Sequence, residues 1–263
     1  MTGWVRNTPS GVSLEAQGDA QNLAAFLAAI KAEAPPLAII SSIAERPLPP
    51  VDAENSFAIL SSGGGKTTAD ISPDGDVCPD CLQELFDPSD RRYRYPFITC
   101  TNCGPRYSII TGIPYDRPLT TMAMFQLCLA CRKEYENPDN RRFHAQPLAC
   151  PDCGPSLRLL DQEGNSVAGD PLEGAVAILR NGGILAIKGT GGYHLGVDAS
   201  SSSAVRTLRL RKRRASKPFA IMVADLAAAK AIAAVDPLEE RLLTGPERPV
   251  VLLKKLSSGI TDE

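Results

Sequence analysis

The chain has 263 residues, eight cysteines and a formal net charge of −2, with 43% hydrophobic and 22% charged residues. This balance is typical of a soluble globular protein, and it excludes wholesale disorder, a collagen-like repeat and a disulfide-rich miniprotein. The near-neutral charge gives no global argument for nucleic-acid binding or for attraction to a membrane surface, so any basic site must be local.

Residues 1–62 are predicted to form part of an antiparallel α+β sandwich. Two β-like runs, GWVRN and VSLEAQG, are joined by the turn sequence Thr8-Pro9-Ser10-Gly11. A helix follows and ends before Pro35, and LAIISSI (37–43) is predicted to be a further strand. The apolar face of the helix consists of Leu23, Phe26, Leu27 and Ile30. Because about 60 residues with one such helix make a poor core, we expect the beginning of this domain to lie outside the chain.

Residues 63–77 are predicted to be a linker. The stretch from Ser61 to Thr67, SSGGGKT, resembles a phosphate-binding loop. That motif, G-x-x-x-x-G-K-[ST], requires a glycine at position 60, where this chain has Leu60. We therefore expect no nucleotide site in this stretch.

The middle of the chain is a duplicated cysteine unit. Two Cys-x2-Cys pairs, separated by 18 residues, span 78–103, and the same arrangement recurs 50 residues later at 128–153. Aligning 78–105 on 128–155 gives ten identities in 28 positions. The cysteines are Cys78, Cys81, Cys100, Cys103, Cys128, Cys131, Cys150 and Cys153. The other identities are Glu84/Glu134, Pro88/Pro138, Arg91/Arg141, Arg92/Arg142, Gly104/Gly154 and Pro105/Pro155.

This spacing predicts two zinc ions in a zinc-finger domain over residues 78–155. A Cys-x2-Cys turn aims two sulfurs at one point, and a second turn completes a tetrahedron. Four cysteines leave no open position for water, so the predicted role is structural. Redox pairs, an iron–sulfur cluster and unrelated thiols are weaker alternatives. Four thiolates around a divalent ion carry a charge of about −2, which the four repeated arginines could offset. Whether ligands pair within or across the units stays open.

The apolar runs and the N-terminus of the chain bear on its cellular compartment. The longest are far shorter than the ~20 residues of a membrane helix, and the N-terminus lacks the pattern of a signal peptide. We expect no membrane contact and a cytoplasmic, reducing environment, in which cysteine pairs bind metals or perform redox chemistry.

Residues 171–263 are predicted to form an open, mixed α/β sheet, because helical and strand patterns alternate along them. Helices are predicted at 172–181, from Ser203, at 225–235 and at 237–243, and strands at 183–189, 195–199, 218–223 and 249–254.

Two features in this region suggest anion binding. Residues 188–194, KGTGGYH, form a glycine-rich turn after a strand. A basic run follows, with Arg206, Arg209, Arg211, Lys212, Arg213, Arg214 and Lys217. Together a strand-end glycine turn and a basic helix end could hold a nucleotide triphosphate. Double-stranded RNA, bound through its phosphates, is a second possible ligand.

Motifs across the chain resemble those of the HypF family of hydrogenase maturation carbamoyltransferases. They are CPDCLQELFDPSDRRYRYPF, CTNCGPRYSI, PYDRPLTTM, EYENPDNRRFHAQPLACPDCGP and KGTGGYHLGVDA followed by RKRRASKPFAIMV. The resemblance implies a multidomain α+β protein. It would combine the C-terminal part of a ferredoxin-like acylphosphatase domain (1–62), two four-cysteine zinc units, and the N-terminal part of a YrdC-like domain (171–263). The family's Kae1-like domain has no counterpart here.

The resemblance implies a relay. Carbamoyl phosphate is hydrolysed to carbamate, which reacts with ATP, bound with magnesium, to give carbamoyl adenylate. The carbamoyl group then passes to the C-terminal cysteine of the partner protein HypE, on the way to the cyanide ligands of the nickel–iron centre. Enclosed transfer between fused domains would protect the unstable carbamate from water.

The resemblance also assigns residues. Asn7 matches the acylphosphatase asparagine that orients the attacking water, while the arginine that would cradle the phosphate is not in this chain. We therefore expect no acylphosphatase activity from the chain by itself. Residues on the YrdC-like motifs would bind the ATP phosphates and carbamate: Lys188, Thr190, His194, Lys212, Arg214 and Lys217. Ala215 stands where we expect the family to carry proline.

A second hypothesis needs no chemistry. The chain would then be a zinc-stabilised module that binds a nucleotide or double-stranded RNA through its basic run. His144 occupies the position of Arg94 in the first cysteine unit, so it is not a duplicated metal ligand. A packing role and a substrate or channel contact both stay open for it.

Overall fold

The computed structural model describes residues 1–35, 37–52, 54–63, 71–214, 216–256 and 259–261. The chain divides into two units, Met1–Pro155 and Ser156–Glu263. Helices and strands occur in both units, so the chain is a multidomain α+β protein, as predicted. No helix in the described ranges is long and apolar enough to cross a membrane.

The first unit begins with a three-stranded sheet in the order β2–β1–β3. β1 (Thr2–Thr8) and β2 (Gly11–Gln17) pair antiparallel, with Thr8 opposite Gly11. The predicted turn is therefore confirmed, and Gly11, with φ at 131°, has a backbone conformation that side chains disfavour. β3 (Phe57–Ile59) lies parallel to β1 on its other side.

One helix packs on this sheet. α1 (Ala20–Ala32) begins after Asp19, whose carboxylate accepts a hydrogen bond from the Asn22 N–H at 2.9 Å. Its Phe26 ring meets the Phe57 ring of β3 edge to face, with centroids 6.3 Å apart. The predicted helix is confirmed, and Asn7 lies near the C-terminal end of β1.

The strand predicted at 37–43 is wrong. These residues form no strand, and the described sheet of this part pairs β1 with β2 and β3 instead. Instead the third strand of the sheet forms some 15 residues later in the chain, at β3. The glycine-rich stretch of the predicted linker, 64–70, lies outside the described residues.

The core of the first unit lies around the cysteines. Helices α2 (Pro79–Phe86) and α3 (Leu129–Glu136) each begin directly after the first cysteine of a Cys-x2-Cys pair. Each therefore carries the second cysteine in its first turn, where it is fully buried. Two single 3₁₀ turns, Arg117–Leu119 and Thr121–Met124, connect the repeats.

In the residues described by the structure, the second unit has four helices and two small sheets. β4 and β5 form a hairpin closed by the two residues Thr190 and Gly191, and β6 pairs antiparallel with β7. The elements are α4 (Pro171–Arg180), β4 (Leu185–Gly189), β5 (Gly192–Gly196), α5 (Ser202–Arg211), α6 (Leu226–Ile232), β6 (Ala233–Ala234), α7 (Pro237–Thr244) and β7 (Lys254–Lys255).

The four predicted helices of this region are confirmed, but its strands differ from the prediction. Residues 218–223 form no strand, and of 249–254 only Lys254 belongs to one. The strand predicted at 195–199 instead ends at Gly196 and begins at Gly192, because it folds back on β4 as a hairpin. The described strands form two separate two-stranded sheets.

Candidate metal centres and anion sites

Each cysteine repeat brings its four sulfurs to one point. The clusters are Cys78, Cys81, Cys100 and Cys103 in the first repeat, and Cys128, Cys131, Cys150 and Cys153 in the second. Within each cluster all four sulfurs lie within 4.8 Å of one another. Ligands therefore pair within a repeat, which the sequence left open.

The sulfur spacing fits zinc. Neighbouring sulfurs of the first cluster lie 3.6–3.8 Å apart, and those of the second 3.7–3.8 Å. A tetrahedron with Zn–S bonds of about 2.3 Å has edges of about 3.8 Å. The distances are much longer than the ~2.05 Å of a disulfide. Two four-thiolate sites without an open position are suited to a structural ion rather than to catalysis.

An arginine from each repeat contacts the cysteine cluster of the other repeat. Arg91 of the first repeat places Nη2 2.7 Å from the Cys131 sulfur of the second. Arg141 of the second places Nη1 3.1 Å from the Cys81 sulfur of the first. Guanidinium groups at these distances offset the negative charge of a filled four-thiolate site. The predicted charge compensation therefore takes place across the repeats.

The neighbouring arginines, Arg92 and Arg142, are buried, and each also contacts the other repeat. Arg92 donates to the Ala149 carbonyl at 2.9 Å and to both carboxylate oxygens of Glu134, at 3.1 and 2.5 Å. Arg142 donates to the Thr99 carbonyl at 3.1 Å and forms an ion pair with Glu84. Each pair joins positions 42 or 58 residues apart in the chain. We call these reciprocal contacts, with those of Arg91 and Arg141, the arginine cross-brace.

The glutamates of the cross-brace are held in the charged state. Burial raises the pKa of Glu84, but hydrogen bonds and charge from Arg142 and Arg141 outweigh it, so the pKa lies below its ordinary value. Burial likewise raises the pKa of Glu134, and Arg92 and Arg91 bring it below the ordinary value. Both carboxylates therefore stay ionised in the folded protein at neutral pH.

Local turns aim the arginines. Asp90 accepts a hydrogen bond from the Arg92 N–H at 2.7 Å, and Asn140 accepts one from the Arg142 N–H at 2.9 Å. Such side-chain-to-backbone turns are what Asp and Asn favour. The arginines and the glutamate of the cross-brace are among the ten repeated identities, so the alignment did mark these positions. It did not indicate that each arginine pairs with the glutamate of the other repeat.

Asn7 lies at the exposed end of β1 and lines a cavity of about 320 Å³ inside the first unit. Residues of the second cysteine repeat, including His144, line the same cavity. The sequence did not indicate this juxtaposition, because the two residues are far apart in the chain.

The predicted anion residues of the hairpin lie on two faces. Lys188 on β4 pairs with Tyr193 on β5, and its ammonium group lies 5.8 Å from the centre of that ring. His194 pairs with Ile187. Since neighbouring residues of a strand alternate between faces, the side chains of Lys188 and His194 lie on opposite faces. Thr190 is in the turn.

The basic run is ordered by its own arginines. Arg209 and Arg214 place their guanidinium groups 4.7 and 5.2 Å from the centre of the Phe219 ring. Arg209 donates to the carbonyls of Arg214 and Lys217, at 2.9 and 3.2 Å. Arg214 also donates to the Lys217 carbonyl, at 3.1 Å. These contacts bring Arg214 and Lys217 together, while Lys212 is the residue at the end of α5. Ala215 lies outside the described residues.

Three family models match successive parts of the chain. An acylphosphatase model matches residues 1–59, a HypF finger model matches 77–110 and 127–160, and a model described as telomere recombination, of the Sua5, YciO and YrdC type, matches 177–263. The predicted combination of an acylphosphatase-like part, two four-cysteine units and a partial YrdC-like part is thereby confirmed.

The relatives are all HypF proteins. The chain is 54% identical to carbamoyltransferase HypF2 of Cupriavidus necator over 98% of its own length and 32% of the relative's. It is 49% identical to carbamoyltransferase HypF of Synechocystis sp., over 97% and 33%. The crystal structure of a full-length HypF in its phosphate- and nucleotide-bound form matches 99% of this chain, with a TM-score of 0.93 and 46% identity, and 34% of that chain is covered. The chain thus spans about one third of the length of these relatives.

Proposed function

We propose, from the premise that this chain belongs to the HypF carbamoyltransferase family, that it contributes to ATP-dependent carbamoyl transfer from carbamoyl phosphate to HypE. The observation that supports this most is the continuous similarity to HypF proteins over nearly the whole chain, at 41–54% identity. The first step would take place at Asn7 and the second at the hairpin and basic run of the second unit.

The two metal sites would hold zinc in a structural role. Four thiolates at tetrahedral spacing bind zinc tightly, and the cross-brace gives each filled site nearby positive charge. The two ions would then hold residues 78–155 in a fixed structure.

In the first step, Asn7 would orient a water molecule for attack on carbamoyl phosphate, releasing phosphate and carbamate. A side-chain amide both donates and accepts hydrogen bonds, so it can hold a water in line with the bond that breaks. It does not supply the positive charge that stabilises a developing phosphate anion. We therefore propose that the chain by itself does not hydrolyse carbamoyl phosphate.

In the second step, a carbamate oxygen would attack the α-phosphorus of magnesium-bound ATP, and pyrophosphate would leave. Lys188 and Thr190 of the hairpin, with Lys212, Arg214 and Lys217 of the basic run, would neutralise and orient the phosphates. His194 lies on the other face of the hairpin, so it would not contact the same phosphates. One related HypF structure was obtained with phosphate and nucleotide bound. The HypE cysteine thiolate would finally displace AMP from carbamoyl adenylate.

A chimera tests this proposal: Cupriavidus necator HypF2 with its matching segment replaced by this chain. We expect carbamoyl-phosphate-dependent exchange of ATP with pyrophosphate within tenfold of the parent. Replacing Asn7 by Ala should lower it by about 100-fold, while the exposed control Gln21→Ala should leave it unchanged. Salt-sensitive binding of double-stranded RNA, without exchange, would instead favour the non-catalytic module.

A further inference from the structure

The cavity of about 320 Å³ in the first unit lies between the end of β1 and the second cysteine repeat. Its size is at the lower end of the range for small-molecule sites, roughly 300–1,000 Å³. Asn7 lines it together with Tyr135, His144 and Gln146. The second cysteine repeat therefore contributes side chains to the cavity that holds the proposed hydrolytic residue.

Two polar side chains at this cavity are free to bind a ligand. Within the described ranges, neither the amide of Asn7 nor the imidazole of His144 has a hydrogen-bond partner. The His144 ring is nevertheless held in place, since its centre lies 4.9 Å from that of Tyr135 and 4.6 Å from that of Phe143. An ordered imidazole with both nitrogens available is suited to recognising a small polar group.

The other polar groups that the second repeat contributes to this cavity are already paired. Gln146 is buried, and its side-chain oxygen accepts hydrogen bonds from the Tyr135 hydroxyl at 2.9 Å and from the Arg117 N–H at 2.8 Å. Its amide nitrogen donates to the His144 carbonyl at 2.9 Å. Tyr135 and Gln146 thus hold His144 in place, and of these three side chains the His144 ring is the one still available to bind a ligand.

The duplication provides an internal comparison for these three residues. Arg94 and His144 occupy equivalent positions, both with positive φ, 56° and 50°. Their N–H groups donate to equivalent carbonyls, of Leu85 at 2.8 Å and of Tyr135 at 3.0 Å. The backbone is therefore the same in both repeats, while the side chains differ. The differences Leu85/Tyr135, Arg94/His144 and Pro96/Gln146 are the three that fall on cavity-lining residues.

Seven of the ten repeated identities are cysteines or cross-brace residues, and none of the ten lines the cavity in the second repeat. Metal binding and the cross-brace thus account for most of what the repeats share, and they do not involve the three cavity-lining side chains. A role at the cavity that is confined to the second repeat would account for those three differences.

The charges at the cavity favour a small anion. Arg6 and Arg117 line it, as does Asp116, which accepts a hydrogen bond from the Ser62 hydroxyl. The guanidinium group of Arg117 donates to the carbonyls of Gln146, Leu148 and Phe125, so it contributes charge rather than a free donor. The formal charges of Arg6, Arg117 and Asp116 together leave one net positive charge.

We infer that His144 is a substrate-positioning residue of the second repeat that binds the carbamoyl group of carbamoyl phosphate, together with Asn7. The planar O=C–NH2 group offers one acceptor and donors, which an imidazole and an amide can both match. This inference rests on the proposed function, because it names the substrate of that site.

The chain offers a direct probe, since His144 and His194 are its only histidines. Their imidazole C–H resonances can be followed by NMR in the zinc-loaded chain during titration with carbamoyl phosphate, and in parallel with inorganic phosphate. We expect a saturable shift of His144, larger with carbamoyl phosphate than with phosphate, and about tenfold weaker binding in Asn7→Ala. A shift of His194 alone, or of neither histidine, would overturn the inference.

Two matched variants exchange the residue types of the equivalent positions 94 and 144. Arg94→His places a third histidine at the equivalent position of the first repeat, and its resonance should not respond to carbamoyl phosphate. In the chimera, His144→Arg should raise KM for carbamoyl phosphate about tenfold, with kcat changed less and zinc content unchanged. Unchanged KM would contradict the inference even if exchange proceeds. A carbamoyl-specific His144 shift without any exchange in the chimera would contradict the proposed function alone.

Discussion

The cysteine repeats and the sequences that flank them are stabilised in different ways. Of the described hydrophobic side chains that are buried, twelve lie between Cys81 and Cys150, five lie in the second unit, and none lies in residues 1–62. Five of those twelve are cysteines at the metal sites. The repeats thus use metal ligands and buried ion pairs where the flanking parts use short helices and strands on small apolar faces.

This difference shows how about 78 residues can hold a fixed structure with few large apolar side chains. A structural metal supplies folding free energy that a core of this size does not. Removing in turn a metal ligand, a buried ion pair and an exposed helix cap tests this difference between the repeats and the flanking parts.

The largest expected effect is that of removing zinc. A filled site of this type contributes about 10–16 kcal/mol, so a strong chelator should unfold the repeats while α4 to α7 of the second unit keep their helical signal. Metal analysis should find about two zinc ions per chain, and iron, or fewer than one zinc, would contradict the assignment.

Cys100→Ser refines the same test. Because each cluster is built within one repeat, zinc content should fall to about one. Because Arg91 and Arg92 come from the damaged repeat, the remaining ion should also be about 10–100-fold easier to remove. Two independent finger units would instead keep the second ion at its original affinity.

The second effect concerns the cross-brace. Arg142→Met removes one of the two arginines paired with Glu84 and leaves the buried Thr99 carbonyl without its donor, so we expect a loss of about 1.5–3 kcal/mol in the free energy of unfolding. The control is Arg132→Met, which breaks the exposed pair with Glu136 and should cost less than about 0.5 kcal/mol. Denaturant unfolding of the zinc-loaded chain measures both, and equal losses would contradict a buried cross-brace.

The pH dependence of this effect has a defined sign. The pKa of Glu84 is lower in the folded protein than its ordinary value, so the ion pair stabilises the fold fully above that ordinary value. Its contribution is lost as the pH falls through the folded value. The difference between the original chain and Arg142→Met should therefore shrink in acid, while the Arg132→Met difference stays small throughout.

Features that depend on residues close together in the chain could be predicted from the sequence, and features that depend on a distant partner could not. The gathering of four cysteines in each repeat and the β1–β2 hairpin join residues within one repeat or across one turn, and both are present as predicted. The strands predicted at 37–43 and 218–223 were wrong, because a strand forms only beside a partner, and a run of apolar residues does not specify one. Phe219 instead packs under two arginines.

Prediction of the candidate sites also failed where the residues that meet are far apart in the chain. The cross-brace joins residues about 40–60 positions apart, and the residues of the second repeat that share a cavity with Asn7 are more than 100 positions away from it. Lys188 and His194 looked like one cluster in the sequence, yet the hairpin register assigns them to opposite faces. Residue type indicated the chemistry of these groups, and tertiary pairing decided which of them meet.

The smallest expected effect lies in the second unit, at the start of α7. Asp236 accepts hydrogen bonds from the N–H groups of Leu238 and Glu239, each at 2.8 Å, and Glu239 accepts one from the Asp236 N–H at 2.8 Å. Asp236→Ala removes this reciprocal cap and should cost about 1 kcal/mol in the unfolding of this unit. Asp236→Asn keeps an oxygen at the same place and should cost much less. Neither change should alter zinc content, since the cap stabilises one short helix through local bonds. A loss of zinc in Asp236→Ala would mean that the repeats and the second unit share one cooperative structure.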